Sequence, residues 1–179
     1  MAEHNFEFRQ AVMDDLDEIV RIANAGRALL KAKGIDQWQR DGYPQRAQFE
    51  QDICAGISYV MTIDGHIAAI CAVSFDGEPA YDYIEGEWLT AQGTFYVVAH
   101  RGAMAPEYQG QHLTRTWFEL MAEFAREHGA ASIRIDTHEE NEAMKRVFTN
   151  AGFTPCGIVY LHGGDCGQGE RRVGYERKL

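Results

Sequence analysis

The sequence predicts a mixed α/β fold, and three observations carry that expectation. Apolar residues switch between strand alternation and helical spacing along the chain. An Asp64-Gly65 pair separates two apolar runs in the first half, the signature of a tight hairpin. In the second half a strand, a helix and another strand come in such close succession that only a parallel crossover fits.

Taken in order, residues 6–11 alternate and read as a strand. A helix comes next, opened by Asp14 or Asp15 as N-cap with Glu18 three residues after Asp15. Leu16, Ile19, Val20, Ala23 and Leu30 recur at helical spacing, and Gly34 lies just past the end. Gln37, Trp38 and Gln39 lead to Tyr43-Pro44 and a short helix to about Ile53. Residues 57–63 and 66–75 are the hairpin strands. Residues 76–93, rich in Gly, acids and aromatics, read as an excursion over a site. Residues 94–105 form a long strand, and 106–111 a turn. Leu113, Trp117, Leu120, Met121, Phe124 and Ala125 mark an amphipathic helix that stops before Gly129. Residues 132–137 are a strand. Residues 140–150 are a helix, with Gly152 as its left-handed stop. Strands at 153–161 and 172–177 close the chain around a turn at Gly163-Gly164-Asp165.

A length of 179 residues suits one domain, 1–179, with a sizeable core. The net charge of −10 argues against wrapping nucleic acid, which needs Lys and Arg on one face. It is compatible with a cationic amine substrate. No apolar run approaches the roughly 20 residues of a membrane span. Residues 1–8 are polar and do not read as a signal peptide, so the expected location is the cytoplasm. Cys54, Cys71, Cys156 and Cys166 form no CxxC pair, which points to reduced thiols and no metal site.

The strand–turn–helix at residues 104–114 carries the chemistry. A strand that runs directly into a helix N-terminus leaves backbone N–H groups aimed at one place, with the helix dipole behind them. That layout suits a phosphate or pyrophosphate, though an ordinary strand-to-helix connection shares it. No GxGxxG or GxxxxGK[ST] is present.

This segment resembles the acyl-CoA pyrophosphate motif of GNAT acyltransferases, Q/R-x-x-G-x-G/A. Gln109 takes the first position, Gly110 and Gln111 the free ones. His112 stands at the usual Gly, and Thr114 at the usual Gly or Ala. Asn141, three residues before Met144 and eleven before Gly152-Phe153, resembles the family's N-x-x-A…GF helix. The likeness spans nearly the whole chain. It implies a mostly antiparallel central sheet with a parallel βαβ unit and splayed central strands, helices lying on both faces. It also implies acetyl-CoA or another short acyl-CoA as co-substrate. Its pyrophosphate would lie on the N–H groups of Gln109, Gly110, Gln111, His112, Leu113 and Thr114. Its pantetheine arm would run along the strand ending at Met104, with Asn141 at the arm.

Acyl transfer to an amine needs a base, a donor for the thioester carbonyl and a proton for the leaving thiolate. The N–H of Met104 or Ala105 is the expected donor. The family's usual acid, a Tyr seven residues after the helix Asn, is Phe148 here. His100, on the long strand, suits a base and equally a packed strand histidine. Asp136 and His138 end the next parallel strand, where ligand sites of open α/β sheets gather. Thr137 or His138 also fits a helix cap. Tyr108 and Tyr160 are further acid candidates, and Glu85 and Glu87 suit an amine. Trp38, Tyr43, Tyr81, Tyr83 and Trp88 fit core, lid or recognition. The expected partners are acyl-CoA and a small amine or peptide acceptor, and a homodimer is compatible. A non-catalytic acyl-CoA sensor of the same fold is the competing reading.

Overall fold

The computed structural model describes residues 4–40, 42–161 and 169–179. Its strands are β1 (Phe6–Gln10), β2 (Ser58–Ile63), β3 (His66–Ser74), β4 (Glu85–Gly86), β5 (Tyr96–Met104), β6 (Ser132–His138), β7 (Thr154–Leu161) and β8 (Glu170–Lys178). The helices are α1 (Leu16–Ala32), α2 (Arg46–Cys54), α3 (Thr114–Glu127) and α4 (Glu142–Asn150). The strands make one mixed sheet in the order β1-β2-β3-β5-β6-β8-β7-β4. The pair β5/β6 is parallel, while β1/β2, β2/β3, β6/β8, β7/β8 and β4/β7 are antiparallel. The chain groups into two compact units, residues 1–73 with 100–120 and residues 74–99 with 121–179.

In the first unit the β2/β3 turn is as the Asp-Gly pair predicts. Asp64 (φ 51°) and Gly65 (φ 84°) are both left-handed, the backbone that matches the twist of the flanking strands. The core packs Leu16, Ile19, Ile22 and Ala23 of α1 against Phe49 of α2, Val60, Ile70 and Ala103. Burial of each Leu, Ile or Phe contributes about 1.5–3 kcal/mol, so the apolar stripe of α1 fixes its docking. Asp15 stands at its N-cap position, as expected, but its side chain makes no cap bond to the helix. A short 3-10 turn over Met13–Asp15 precedes it. The Asp15 carboxylate accepts from the Val12 N–H at 2.9 Å and from both Arg9 prongs at 2.7 and 2.9 Å. Glu18 does not complete a capping box with Asp15; it pairs with Arg21. On β5, a Cβ at Gly102 would lie 3.1 Å from the Trp117 ring, so glycine lets α3 approach the strand closely.

In the second unit Tyr96, Val97 and Val98 of β5 pair in parallel with Ser132, Ile133 and Arg134, and that register stops there. β6 continues to His138, laddered along its length to β8. Strand alternation puts Arg134, Asp136 and His138 on one face of β6. Residues 76–93 cover this charged face. Trp88 and Tyr96 sandwich the Arg134 guanidinium at 4.4 and 3.9 Å, and the Tyr81 hydroxyl donates to Asp136 at 2.6 Å. The excursion therefore closes over a polar interior of its own unit. Helix α4 starts at Glu142, two residues later than expected, because Asn141 is its N-cap: its Oδ1 accepts from the Met144 N–H at 3.2 Å. Gly152 ends the helix with φ 85°. The turn expected at Gly163-Gly164-Asp165 lies outside the described residues.

Candidate functional site

The turn after β5 is built in the first unit. Pro106–Tyr108 forms one 3-10 turn, and α3 begins at Thr114. Between them Gly110 (φ 76°) and His112 (φ 59°) are left-handed. A histidine pays about 1–2 kcal/mol for that backbone, which glycine adopts freely. The position where the resembled motif has glycine thus keeps the glycine conformation with another side chain. Gln109 Nε2 donates to the Met104 carbonyl at 3.1 Å, and Gln111 Nε2 to the Glu107 carbonyl at 2.7 Å. Arg21 of α1 holds the Glu107 carboxylate, which this pairing keeps below the ordinary carboxylate range. Both glutamine side chains are therefore spent on shaping the turn.

What the turn leaves open is a run of donors. The first amide of α3 bonded back to the turn is Trp117, which donates to the Leu113 carbonyl at 3.0 Å. Among the described residues no protein acceptor takes the N–H groups of Gly110, Gln111, His112, Leu113, Thr114, Arg115 and Thr116. Alternating left-handed residues ahead of a helix start make a concave nest of such groups, and the helix dipole adds partial positive charge. The arrangement fits a di-anion such as a pyrophosphate.

Upstream, Ala105 donates its N–H to the Ala68 carbonyl at 2.8 Å. That removes Ala105 from the two expected carbonyl donors. Successive N–H groups of an extended chain point to opposite edges, so the Met104 N–H faces away from β3. His100, half-buried, lies four residues earlier on the same strand. Between them Arg101 is left-handed (φ 51°) within the strand. Its guanidinium grips Asp52 of α2 through two bonds, 2.8 and 2.9 Å, and donates to the Tyr43 hydroxyl at 3.1 Å.

Asp136, His138 and Asn141 belong to the second unit, so the catalytic candidates divide between the units. Asp136 accepts from Tyr81 and lies 3.8 Å from Arg172. Burial raises the Tyr81 hydroxyl well above its ordinary range, and the neighbouring Asp136 adds to the effect. His138 Nδ1 accepts from the Glu140 N–H at 3.2 Å, and its carbonyl accepts from Asn141. It thus shapes the turn before α4. Phe148, at the usual acid position, is buried against Phe153 and Tyr175. Tyr160 donates to Glu85 at 2.7 Å, which raises its pKa and weakens it as an acid. Glu87 is exposed. Burial pushes the Cys71 thiol up, so it is no thiolate nucleophile.

Sequence reasoning alone misses three interacting residues. Nothing local singles out Arg101 or Asp52, and Tyr43 stands only as one aromatic among several. The readable signal is Asp52, an acid on the apolar stripe that includes Phe49 and Ile53. Glu176 is missed in the same way. It is fully buried and accepts from Leu89 N–H, Thr90 N–H, Thr90 Oγ1, Ser132 Oγ and Arg134 Nε. Among the described residues no group of three His, Cys, Asp or Glu side chains is disposed to hold a metal ion, and no helix is long and apolar enough to cross a membrane.

Residues 23–153 match the acetyltransferase (GNAT) family. No curated protein matches the sequence. The structure is similar to an acetyltransferase of the GNAT family from Streptococcus agalactiae 2603, with TM-score 0.86 and 32% identity over 97% of this chain and 95% of that one. It is also similar in fold to a GNAT-family acetyltransferase from Listeria monocytogenes 4b F2365, with TM-score 0.71 and 19% identity over 97% and 95%. A third likeness is to yncA from Salmonella typhimurium, a structure with its cofactor acetyl-CoA, at TM-score 0.60 and 20% identity over 97% and 94%.

Proposed function

This chain belongs to the acetyltransferase (GNAT) family, and on that basis we propose that residues 1–179 act as one domain moving an acetyl or other short acyl group from acyl-CoA to a primary amine. The observation that carries the reading is the run of N–H groups from Gly110 to Thr116 without protein acceptors, set in a left-handed turn at the start of α3. Those groups would hold the pyrophosphate of acyl-CoA. Its thioester brings a leaving thiol of pKa about 8–9, fair enough to depart with water as the proton source.

The remaining roles fall to side chains and backbone of this chain. The Met104 N–H polarises the acyl carbonyl. His100, four residues away on the same strand, takes the proton from the amine, directly or through water. Asp136 and His138 rank behind it, since their contacts shape the second unit. The family resemblance assigns Asn141 to the pantetheine arm, and in this chain its Oδ1 caps α4. Glu85 and Glu87 are exposed acids that suit a small amine or peptide acceptor. The reaction belongs in a cytoplasmic setting, and a homodimer is compatible with it.

Acetyl-CoA at about 100-fold over its Kd should stabilise the fold by roughly 2.7 kcal/mol, read by thermal or chemical denaturation. No stabilisation by any short acyl-CoA would sink the proposal. His100→Ala should lower kcat by about 100-fold or more while leaving acetyl-CoA affinity nearly unchanged. Unaltered turnover across pH would remove His100 as base. One observation favours a second reading, a sensor that binds acyl-CoA without turnover: the usual acid position is a core phenylalanine. Stabilisation with no CoA release against a broad amine panel would select the sensor.

A further inference from the structure

The Arg101 clamp lies next to the proposed acyl site, yet none of the proposed catalytic or binding roles uses it. A non-glycine residue in the left-handed region inside a strand persists only where its surroundings over-determine it. Here they do. Asp52 is buried on α2, its side chain 5% exposed, and meets the Arg101 fork with both oxygens at 2.8 and 2.9 Å. Gln48 reaches the same carboxylate at 3.4 Å, and Tyr43 accepts the third guanidinium bond. A bidentate pair fixes direction as well as distance, which a lysine does not reproduce. A left-handed residue breaks the regular pleat of a strand, as in one type of bulge, and re-aims the residues after it. Directly after Arg101 come Gly102, Ala103 and Met104, the stretch that ends in the proposed carbonyl donor.

We propose that the Arg101–Asp52–Tyr43 clamp is a positioning device that holds the left-handed turn of β5 and so aims the Met104 N–H at the acyl carbonyl. The inference rests on the acyltransferase reading. It separates two properties of the first unit. The Gly110–Thr116 turn sets affinity for the CoA moiety, whereas the clamp sets the geometry of the acyl group.

The test compares CoA with acetyl-CoA on the full chain, using calorimetry and the amide resonance of isotope-labelled Met104. In the wild-type protein acetyl-CoA should shift the Met104 amide proton downfield relative to CoA. Asp52→Asn and Arg101→Lys should abolish that difference and lower kcat by about 100-fold, the cost of misplacing a reacting group by about an ångström. CoA affinity should change by less than about twofold in both. Tyr43→Phe keeps the Arg101–Asp52 charges paired and should give a smaller loss in the same direction, so it decides the matter if Asp52→Asn does not fold. A Met104 difference that survives in the folded variants overturns the clamp while leaving the acyltransferase reading intact. A wild-type chain that binds neither CoA nor acetyl-CoA removes that reading, and the clamp with it.

Discussion

The buried Glu176 network of the second unit and the 110–116 turn of the first treat polar groups in opposite ways. In the second unit Glu176 is buried and accepts from two amides, two hydroxyls and a guanidinium, and Asp136 is tied to Tyr81 and Arg172. In the first unit a run of backbone donors from Gly110 to Thr116 has no protein acceptor among the described residues. A satisfied network holds structure, because breaking it leaves a buried charge alone. An open run at a helix start suits an anionic ligand, because its donors are unpaired and already directed. The candidate site is therefore marked by what the fold leaves unpaired.

That contrast can be broken most strongly at Glu176. Glu176→Ala leaves Arg134 buried without its carboxylate and should cost about 3–5 kcal/mol of stability, measured by urea denaturation. A loss near zero would mean the network is ornamental. The same residue predicts an acid response. Burial pushes the Glu176 carboxyl up, but hydrogen bonds from Ser132, Thr90 and Arg134 together outweigh it and hold the group below its ordinary range. Its stabilisation is then complete above the unfolded value of about 4.3 and is lost as pH falls through the lower native one. Glu176→Gln should flatten the stability profile in that window, read as thermal midpoint against pH.

The open run is tested next. Thr114 is the first residue of α3, a position where proline fits a helix but lacks the N–H. Thr114→Pro should weaken CoA binding about tenfold, one charge-assisted hydrogen bond, with stability little changed. Equal affinity in a calorimetric titration would move the pyrophosphate elsewhere. The smallest effect belongs to His112. His112→Gly relieves about 1–2 kcal/mol of left-handed strain and adds about 0.5–1 kcal/mol of unfolded-chain entropy. The net gain should be about 0.5–1 kcal/mol, with CoA affinity unchanged. Lost affinity would show that the imidazole, and not only its backbone, meets the phosphates.

The sequence by itself determined the main strands and helices and their order, though not the two-residue strand β4 within residues 76–93. The Asp64-Gly65 hairpin, the apolar stripes of α1 and α3, the parallel crossover and the Gly152 stop all come from period and turn chemistry, which are local. It also marked the turn at Gln109, because a strand that runs into a helix must leave donors there. Other features depend on partners far along the chain. Alternation puts Arg172 and Glu176 on one face of β8, a pattern that reads as solvated, yet both are buried. Only the packing of residues 76–93 over that face in the second unit decided otherwise. Asp52 and Arg101 are 49 residues apart, and no local rule joins them. The left-handed backbone of Arg101 was equally hidden, since its side-chain identity argues against that conformation and only the surrounding contacts hold it.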